Sequence, residues 1–352
     1  MARDMSAKHP PPTAGENRMT RSLVRHATLR QLQIFEAFVR LGSFTQAAEE
    51  LFLTQPTVSM QIKKLTDAVG IPLFEQVGRH VRPTDAGREV YEVAREIFRH
   101  LEDLENRLSD FHDLRQGRLR LGAITTAKYF APEVLGEFCK LYPGIDVSLK
   151  ISNRERILER LAAQDDDLYI MGQAPSGDYD VEALPFAPNP LVVVASRQHP
   201  LVGTGPISMA RLAEEPFILR EPGSGIRDTT LRAFDAEGLA PSVRMELSSN
   251  EAIKHAVVGG LGVSVLSLHT LTLEGIDGHV AVLDVEGFPI SRQWYLVYPR
   301  RKRLSTLTRT FLDFAMECEA EIRGRMEGML STALGEARAQ AIVGGQARRE
   351  AG

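Results

Sequence analysis

The segment from residue 43 to residue 65 constrains this chain most strongly, because it predicts two short helices joined by a tight turn. Ser43 is a favourable N-cap for the first helix, since its hydroxyl is placed to accept a backbone N–H. Thr54 has the same role at the second helix, and Pro56 follows in the first turn, where a missing N–H costs nothing. The apolar residues of the second helix are spaced four and three apart and so share one inner face. They are Val58, Ile62 and Leu65.

The outer face of the second helix carries small polar residues near its N-terminus and two lysines further along. A recognition helix meets base edges in the major groove with this end. Glutamine suits adenine, serine and threonine reach bases or phosphate, and an apolar side chain touches a thymine methyl. The pattern predicts a helix-turn-helix that binds double-stranded DNA, although helical spacing alone also fits an ordinary helical hairpin. The residues predicted to contact DNA are Ser43, Thr45, Thr54, Gln55, Pro56, Thr57, Ser59, Met60, Lys63 and Lys64.

Residues 73–87 favour the DNA-binding interpretation, because they read as a short wing followed by a new helix. Gly78 marks the turn of the wing, and Arg79 and Arg82 lie beside it. An arginine at a wing tip enters the minor groove or binds phosphate, so Arg79 is predicted to contact DNA. The alternative is a solvated surface arginine. Thr84 is placed to cap the helix that follows.

Residues 28–87 resemble the N-terminal domain of LysR-type transcriptional regulators, and the resemblance continues to about residue 320. Residues 57–65 are similar to the CbbR branch, whose members regulate Calvin-cycle (RuBisCO) operons. Most family members have Arg where this chain has Met60 and Leu where it has Pro83, which points to an operator specific to the subfamily. The stretches that carry the resemblance are 29–39, 42–48, 55–62, 73–75 and 84–87.

The resemblance implies both a fold and a function. The fold is α/β with an N-terminal all-α winged helix-turn-helix, a long linker helix and a two-subdomain effector-binding domain of the periplasmic-binding-protein type. The function is that of an effector-responsive activator of carbon-fixation genes. It binds promoter DNA as a homodimer or a dimer of dimers and works with RNA polymerase. No cofactor is implied; the effector would be a small anionic metabolite such as a sugar phosphate, phosphoenolpyruvate or NADPH. Regulation of another metabolic operon is the alternative.

Residues 85–116 predict one long helix with a single apolar stripe. The stripe advances in steps of three and four, with which two helices pack side by side, so we expect it to join two copies of the chain. The alternative is a helix packed on its own domain. Because dimer symmetry sets the separation of the two DNA-binding domains, the helix would also set the spacing of the two DNA half-sites. The stripe consists of Ala94, Ile97, Leu101, Leu104, Leu108 and Phe111.

After residue 117, short apolar strands alternate with helices, which predicts an α/β region but cannot distinguish one domain from two. Ligands of such sheets bind beyond the carboxyl ends of strands, often at helix N-termini, whose free N–H groups attract anions. Two loops have this form and predict a site for a small anion; the alternative is plain turns with surface arginines. The candidates are Thr125, Thr126 and Lys128 in the first loop and Arg220, Gly223, Ser224, Gly225 and Arg227 in the second, with Asn153, Ser196 and Asn250 as further candidates.

Charge and motifs argue against other classes of protein. Residues 1–82 carry a formal net charge of +4 and the remainder −8, so the basic excess lies on the predicted DNA-binding part. We find no nucleophile–base constellation, P-loop or dinucleotide fingerprint that would indicate an enzyme with a phosphate-binding loop. An exported solute-binding protein needs a signal peptide, which the first 27 residues do not resemble, so we expect a cytoplasmic location. Cys139 and Cys318 lack any metal-binding pattern.

The predicted organisation has five parts. They are a disordered arm at 1–27, a winged helix-turn-helix at 28–86, a dimerising linker helix at 87–117, an effector-binding domain at 118–320 and a tail at 321–352 with no evident role. Within the effector-binding domain, subdomain I would comprise 118–195 and 296–320, and subdomain II 196–295. The chain would thus cross near Ala195 and Ser196 and return near Tyr295.

Overall fold

The computed structural model describes residues 26–77, 80–109, 116–177, 179–273, 275, 278–336 and 339. The chain forms two compact units, one ending at Leu104 and the other beginning at Glu105. Most of the predicted N-terminal arm, together with Gly78 and Arg79 of the wing, lies outside the described residues. Within the described ranges, no helix combines the length and the apolar character needed to cross a membrane.

The N-terminal unit begins with three helices. The first starts with a capping box, in which the side chains of Thr28 and Gln31 each accept the other's backbone N–H. It ends at Gly42, whose φ of 67° lies in the left-handed region. Phe38 stacks on Phe44 of the second helix with ring centroids 4.3 Å apart, which fixes the two helices against each other. The helices are α1 (Leu29–Leu41), α2 (Phe44–Glu50) and α3 (Gln55–Val69).

The turn between α2 and α3 has the expected helix-turn-helix form. Ser43 caps α2 by accepting the N–H of Gln46, as predicted. Thr54 occupies the N-cap position of α3, but the predicted capping bond is wrong. Its hydroxyl lies 2.8 Å from the hydroxyl of Thr57, one helical turn on, and this pairing replaces the bond to the backbone. The predicted inner face is confirmed, since Val58, Ile62 and Leu65 are all fully buried.

An antiparallel two-stranded wing and most of a long helix complete this unit. Thr84 caps the helix by accepting the N–H of Gly87 at 3.0 Å, as predicted. At Gly87 the helix approaches the wing so closely that an added Cβ would lie 1.9 Å from the carbonyl oxygen of Leu73. The helix was predicted to reach residue 116; it is described to residue 109, and residues 110–115 lie outside the described ranges. The elements are β1 (Phe74–Val77), β2 (His80–Pro83) and α4 (Asp85–Ser109).

The C-terminal unit alternates strands and helices, as its sequence pattern predicts. The strands are β3 (Gly117–Ile124), β4 (Ile145–Ser152), β5 (Leu168–Met171), β6 (Val181–Pro188), β7 (Leu191–Ser196), β8 (Pro216–Arg220), β9 (Ser242–Leu247), β10 (Ser264–Ser267), β11 (Val280–Leu283) and β12 (Gln293–Pro299). The α-helices are α5 (Ala131–Leu141), α6 (Arg154–Ala162), α7 (Met209–Ala213), α8 (Gly225–Ala236), α9 (Asn250–Val258), α10 (Thr306–Glu317) and α11 (Glu319–Leu334). Short 3-10 helices occupy Thr125–Tyr129 and Leu268–Leu271.

The first sheet has the strand order β4-β3-β5-β12-β6. Strands β3, β4 and β5 are parallel, and β12 runs antiparallel to both of its neighbours. One face packs on α5 and α10, where Phe138 meets Phe311 edge-on at 5.1 Å. The other face packs on α6 through Ile157 and Tyr169. Helices on both faces of a mostly parallel sheet define subdomain I as α/β.

The second subdomain contains two groups of strands. Three strands are antiparallel in the order β10-β7-β11, and β8 and β9 form a parallel pair. A bridge between Phe217 and Val263 joins the two groups of strands. Phe234 of α8 packs edge-on against Phe217 at 5.5 Å, and Ile253 of α9 lies in a separate buried cluster. The predicted α/β effector domain with two subdomains is therefore confirmed.

The predicted crossing points between the subdomains are corrected. β7 pairs with β10 and β11, so it belongs to subdomain II and not to subdomain I. The chain crosses at Asn189 and Pro190, before β7, and returns before Gln293, where β12 begins. The apolar sequence of Leu191–Ser196 fits a strand in either sheet. It does not show which strands pair with it, because those partners are distant in sequence.

The region after residue 320 also differs from the prediction of a tail without a role. Residues 319–334 form α11, which follows α10 directly and packs on the effector domain. The apolar residues at four-residue intervals provide the packing face. These residues, Ile322, Met326 and Leu330, are buried.

Candidate DNA-binding surface and ligand cleft

The N-terminal half of α3 exposes most of the side chains predicted to contact DNA. Met60, at which the family's usual Arg is replaced, is 49% exposed, so its apolar chain is available to touch a base methyl. Ser43 and Thr57 are half-buried, the first as a cap and the second against Thr54. Arg79 lies outside the described residues. The exposed members are Thr45, Thr54, Gln55, Pro56, Ser59, Met60, Lys63 and Lys64.

One of the two arginines of α1, Arg40, is engaged within the protein. Arg40 forms an ion pair with Glu36 at 3.0 Å and a second one with Glu50. The hydrogen bonds from Arg40 lower the pKa of the Glu50 carboxyl group. Arg40 therefore ties α1 to α2.

A cleft with about 400 Å³ of space, part of it open to solvent, lies between the two sheets of the C-terminal unit. Its walls are the carboxyl ends of β3, β5 and β8, the N-termini of α6 and α8, and the two chain crossings. Both subdomains thus contribute, as expected for a ligand at strand ends and helix starts. The lining residues are Ile124, Thr125, Thr126, Asn153, Arg154, Gly172, Asn189, Arg220, Ser224, Gly225, Ile226 and Arg292.

Six of the predicted ligand residues line this cleft: Thr125, Thr126, Asn153, Arg220, Ser224 and Gly225. Arg220 is only 3% exposed. Its Nε and Nη2 donate to the carboxylate of Glu221, and its Nη1 donates to Oδ1 of Asn250. Asn250 is fully buried behind Arg220, so it supports the cleft without lining it. Asn153 caps α6 by accepting the N–H of Arg156.

The other predicted ligand residues lie elsewhere. Lys128 turns away to Glu251, with Nζ 2.6 Å from Oε2. Burial alone would raise the pKa of Glu251, but hydrogen bonds from Lys128 and Tyr129 outweigh it and lower this pKa to about 2. Ser196 lies at the end of β7 opposite Val280, away from the lining residues. The placement of these two side chains depends on tertiary partners that local spacing does not reveal.

The remaining two predicted residues shape the loop after β8. Arg227 donates to the carbonyl oxygen of Arg220 at 2.7 Å and pairs with Glu246 of β9, so it braces the loop from behind. Gly223 has a φ of 81°, and a Cβ there would lie 2.9 Å from Oε2 of Glu155. It is required for the turn and does not line the cleft.

Sequence reasoning missed two arginines of the cleft. Arg154 donates to the carbonyl oxygens of Gln173 and Ala174. Arg292 lies in the segment that returns the chain to subdomain I. It donates to the carbonyl oxygen of Gly225 in subdomain II at 3.2 Å. Arg154 directly follows the predicted Asn153 at the start of a helix, and this position could have identified it as a ligand candidate. Arg292 precedes β12 in a connecting segment whose pattern gave none.

The electrostatics of the cleft favour an anion. Burial lowers the pKa of Arg154, and burial together with the charge of Arg154 lowers the pKa of Arg292 to about 10. Both guanidinium groups are therefore protonated at neutral pH but poorly hydrated. Among the described residues that line the cleft there is no carboxylate. Arg154, Arg292 and two helix N-termini converge there, and Arg220 adjoins them with its charge paired to Glu221. This arrangement suits a carboxylate or phosphate group.

The two regions that contain these sites match two models of one protein family. Residues 29–88 match the model described as bacterial regulatory helix-turn-helix protein, lysR family, and residues 112–318 match the LysR substrate binding domain. The chain belongs to the LysR family of transcriptional regulators. Its interpretation as a DNA-binding regulator and not an enzyme is thereby confirmed.

Particular relatives confirm the predicted branch. The HTH-type transcriptional activator CmpR of Synechocystis sp. is 54% identical over 83% of this chain and 95% of its own length. The RuBisCO operon transcriptional regulator of Acidithiobacillus ferrooxidans is 46% identical over 85% of this chain and 96% of its own length. The solved regulatory domain of Synechocystis PCC6803 CcmR in complex with 2-PG is 50% identical, with a TM-score of 0.56, over 58% of this chain and 98% of that domain.

Proposed function

We propose that this regulator activates carbon-fixation genes in response to a small anionic metabolite bound between its two subdomains. The observation that carries the proposal is the convergence of Arg154, Arg220 and Arg292 on one cleft without a lining carboxylate among the described residues. The kinship with CmpR and with a RuBisCO operon regulator supports the class of target genes. A cytoplasmic location remains part of the proposal, and binding to promoter DNA is consistent with it.

The ligand class follows from the chemistry of the cleft. Paired guanidinium and backbone N–H donors recognise carboxylate and phosphate oxygens. The cleft presents arginine and threonine side chains to a ligand, and the CcmR regulatory domain was solved with 2-PG. We therefore place 2-PG first, beside sugar phosphates, phosphoenolpyruvate and NADPH, as candidate effectors. The proposed contacts are Thr125, Thr126, Asn153, Arg154, Arg220, Ser224, Gly225 and Arg292.

DNA binding is proposed to use α3 in the major groove and the wing on the flanking backbone. Gln55, Ser59 and Met60 would meet base edges, and Lys63 and Lys64 would meet phosphates. Arg79 lies outside the described residues and is proposed from the sequence alone to contact DNA. Effector binding would change the angle between the subdomains and so the separation of the DNA-binding domains in the oligomer. This mechanism requires that the effector bind one of two assembled states more tightly than the other.

The oligomer is proposed to form through α4. Its predicted stripe leaves Leu101 37% and Leu104 50% exposed, whereas Ala94 is fully buried. Apolar side chains exposed at heptad spacing favour a second helix as their partner, and hence a homodimer or a dimer of dimers. The described side chains of the stripe end at Leu104. Contact with RNA polymerase is proposed from the activator function of CmpR alone.

The deciding experiment combines ligand binding with promoter protection. Calorimetry on the full chain with 2-PG, phosphoenolpyruvate, a sugar phosphate and NADPH should give saturable binding of at least one anion. A DNase footprint on the promoter next to the gene should span several helical turns and change length with that same anion. A footprint that no anion alters would contradict the effector-gated mechanism. A promoter without any specific footprint would contradict the assignment of α3 as a recognition helix.

A further inference from the structure

Helix α11 contacts the edge strand of each sheet, β6 in subdomain I and β11 in subdomain II. The LysR substrate-binding-domain model ends at residue 318, immediately before this helix. We propose that α11 is a strap that fixes the distance between the two subdomains and thereby limits how far the cleft between them opens or closes.

The first half of the strap is anchored in subdomain I. Ile322 is 6% exposed and belongs to the buried cluster that contains Phe138 and Trp294. Both terminal nitrogens of Arg325 donate to the carboxylate of Glu133 in α5, at 2.6 and 2.8 Å. A bidentate pair of this kind fixes orientation as well as distance. The apolar contact and the ion pair together hold this half of α11 on α5 and the core beneath it.

The second half is anchored in subdomain II. Met326 and Leu330 are fully buried, and they belong to the cluster that contains Val192 of β7, Ile253 of α9 and Val280 of β11. Residues four apart lie on the same helix face, so both side chains enter this cluster side by side. A single helix thus contributes to the cores of both subdomains.

The spacing of the anchors makes the strap stiff. Ile322 and Met326 are one turn apart, or about 6 Å along the helix axis, and an α-helix does not stretch. Close-packed cores move between discrete arrangements and do not deform continuously. A motion that separated β6 from β11 would have to release one anchor. Rotation about the two chain crossings, at Asn189 and Pro190 and before Gln293, is therefore restricted to motions that keep these two edges together.

The first test measures the distance between the subdomains in the full chain. Spin labels at Lys150→Cys and Glu237→Cys report on subdomains I and II, in a Cys139→Ser/Cys318→Ser background diluted with unlabelled protein. We expect a narrow distribution in the parent. Met326→Ser/Leu330→Ser and Arg325→Glu should broaden or shift it, and the reversed pair Glu133→Arg/Arg325→Glu should restore it. Glu336→Gln, an exposed position beyond the helix, is the matched control.

The second test measures affinity for 2-PG by calorimetry on the same variants, and it rests on the proposed function. Releasing the strap should weaken binding by about threefold to tenfold, because a smaller fraction of molecules holds the binding-competent arrangement. The reversed pair should recover the parent affinity. No substituted residue lines the cleft, so a change must act through the subdomain arrangement.

The outcomes distinguish a failure of the strap proposal from a failure of the proposed function. Identical distance distributions for the parent, the serine variant and Arg325→Glu, all folded by circular dichroism, would overturn the strap. If the serine variant does not fold, Arg325→Glu and its reversal decide. A parent that binds no anion would overturn the proposed ligand class, while the distance measurement would still decide the strap.

Discussion

Nη1 of Arg220 donates a 2.6 Å hydrogen bond to Oδ1 of Asn250, and both side chains are buried, at 3% and 0% exposure. The bond joins the end of β8 to the first turn of α9. Asn250 therefore holds a cleft arginine in place, and the two residues act as one unit.

Replacing Asn250 with Asp should weaken anion binding. Arg220 already pairs with Glu221, so the new carboxylate would be a second one beside it and would make the cleft less positive. We expect affinity for 2-PG to fall by about tenfold, equivalent to about 1.4 kcal/mol. Calorimetry measures this directly. Asn250→Ser, which keeps a neutral acceptor, should bind more tightly than Asn250→Asp, and equal affinities for the two would count against an electrostatic role of Arg220.

Replacing Arg154 with Met should remove one of the cleft cations. A hydrogen bond that involves a charged group contributes about 1.5–3 kcal/mol, so binding of 2-PG should weaken by at least tenfold. Arg156→Met on the same helix is the control, because Arg156 is exposed and does not line the cleft. If both variants bind like the parent, Arg154 is not part of the ligand site.

His269 should make stability depend on pH. It is fully buried against Phe130 and Trp294, with Nε2 donating to the carbonyl oxygen of Pro188 at 3.0 Å. Burial lowers its pKa to about 4, with a smaller contribution from the charge of Arg325. Between about pH 4 and the unfolded value of about 6.5, the unfolded chain binds a proton that the folded chain does not. The free energy of unfolding should therefore fall as pH drops through this window, by at most about 1.4 kcal/mol per pH unit.

Urea unfolding of the parent and of His269→Gln at several pH values from 7 downward tests this. The Gln variant should lack that part of the pH dependence. His255→Gln is the matched control for removing a histidine, because His255 is exposed. Parallel pH profiles for the parent and His269→Gln would show that His269 is not the titrating group.

Substitutions on α3 should separate base reading from phosphate binding. Gln55→Ala and Ser59→Ala each remove a side chain proposed to bond a base edge, so each should reduce discrimination between operator and random DNA by about 1–3 kcal/mol. Lys63→Gln should weaken both DNAs alike and flatten the salt dependence. Lys140→Gln in the C-terminal unit, also an exposed lysine, is the control. Unchanged binding of both DNAs by Ser59→Ala would contradict the assignment of α3.

Two helical glycines should respond oppositely to alanine. Gly328→Ala in α11 meets nothing within 4 Å and should stabilise the helix by about 0.5–1 kcal/mol. Gly87→Ala in α4 would place a Cβ 1.9 Å from the carbonyl oxygen of Leu73, so it should cost about 1–3 kcal/mol. Urea unfolding measures both. A stabilising Gly87→Ala would mean that the wing and α4 pack less closely than this distance indicates.

The DNA-binding unit of the molecule was predictable because its signals are local. The caps at Ser43 and Thr84 and the inner face of α3 depend on residues a few positions apart, and each was found where expected. Thr54 shows the limit of this reasoning, since its position was correct while its hydroxyl bonds Thr57.

The cleft was predictable only in part. Six candidate residues were identified because strand ends and helix starts are visible in sequence. Lys128 and Arg227 were misplaced because their direction depends on Glu251 and Glu246, far along the chain. Arg292 was missed because it enters the cleft from a connecting segment.

The sequence by itself determined the helix-turn-helix, the α/β character of the effector domain and the position of the two loops proposed to bind an anion, since these follow from capping and periodicity over a few residues. Tertiary structure alone decided that β7 belongs to subdomain II and that α11 joins the two cores. An apolar strand or helix face shows in its own sequence that it must be buried. Which partner buries it depends on residues brought together only by the folded chain.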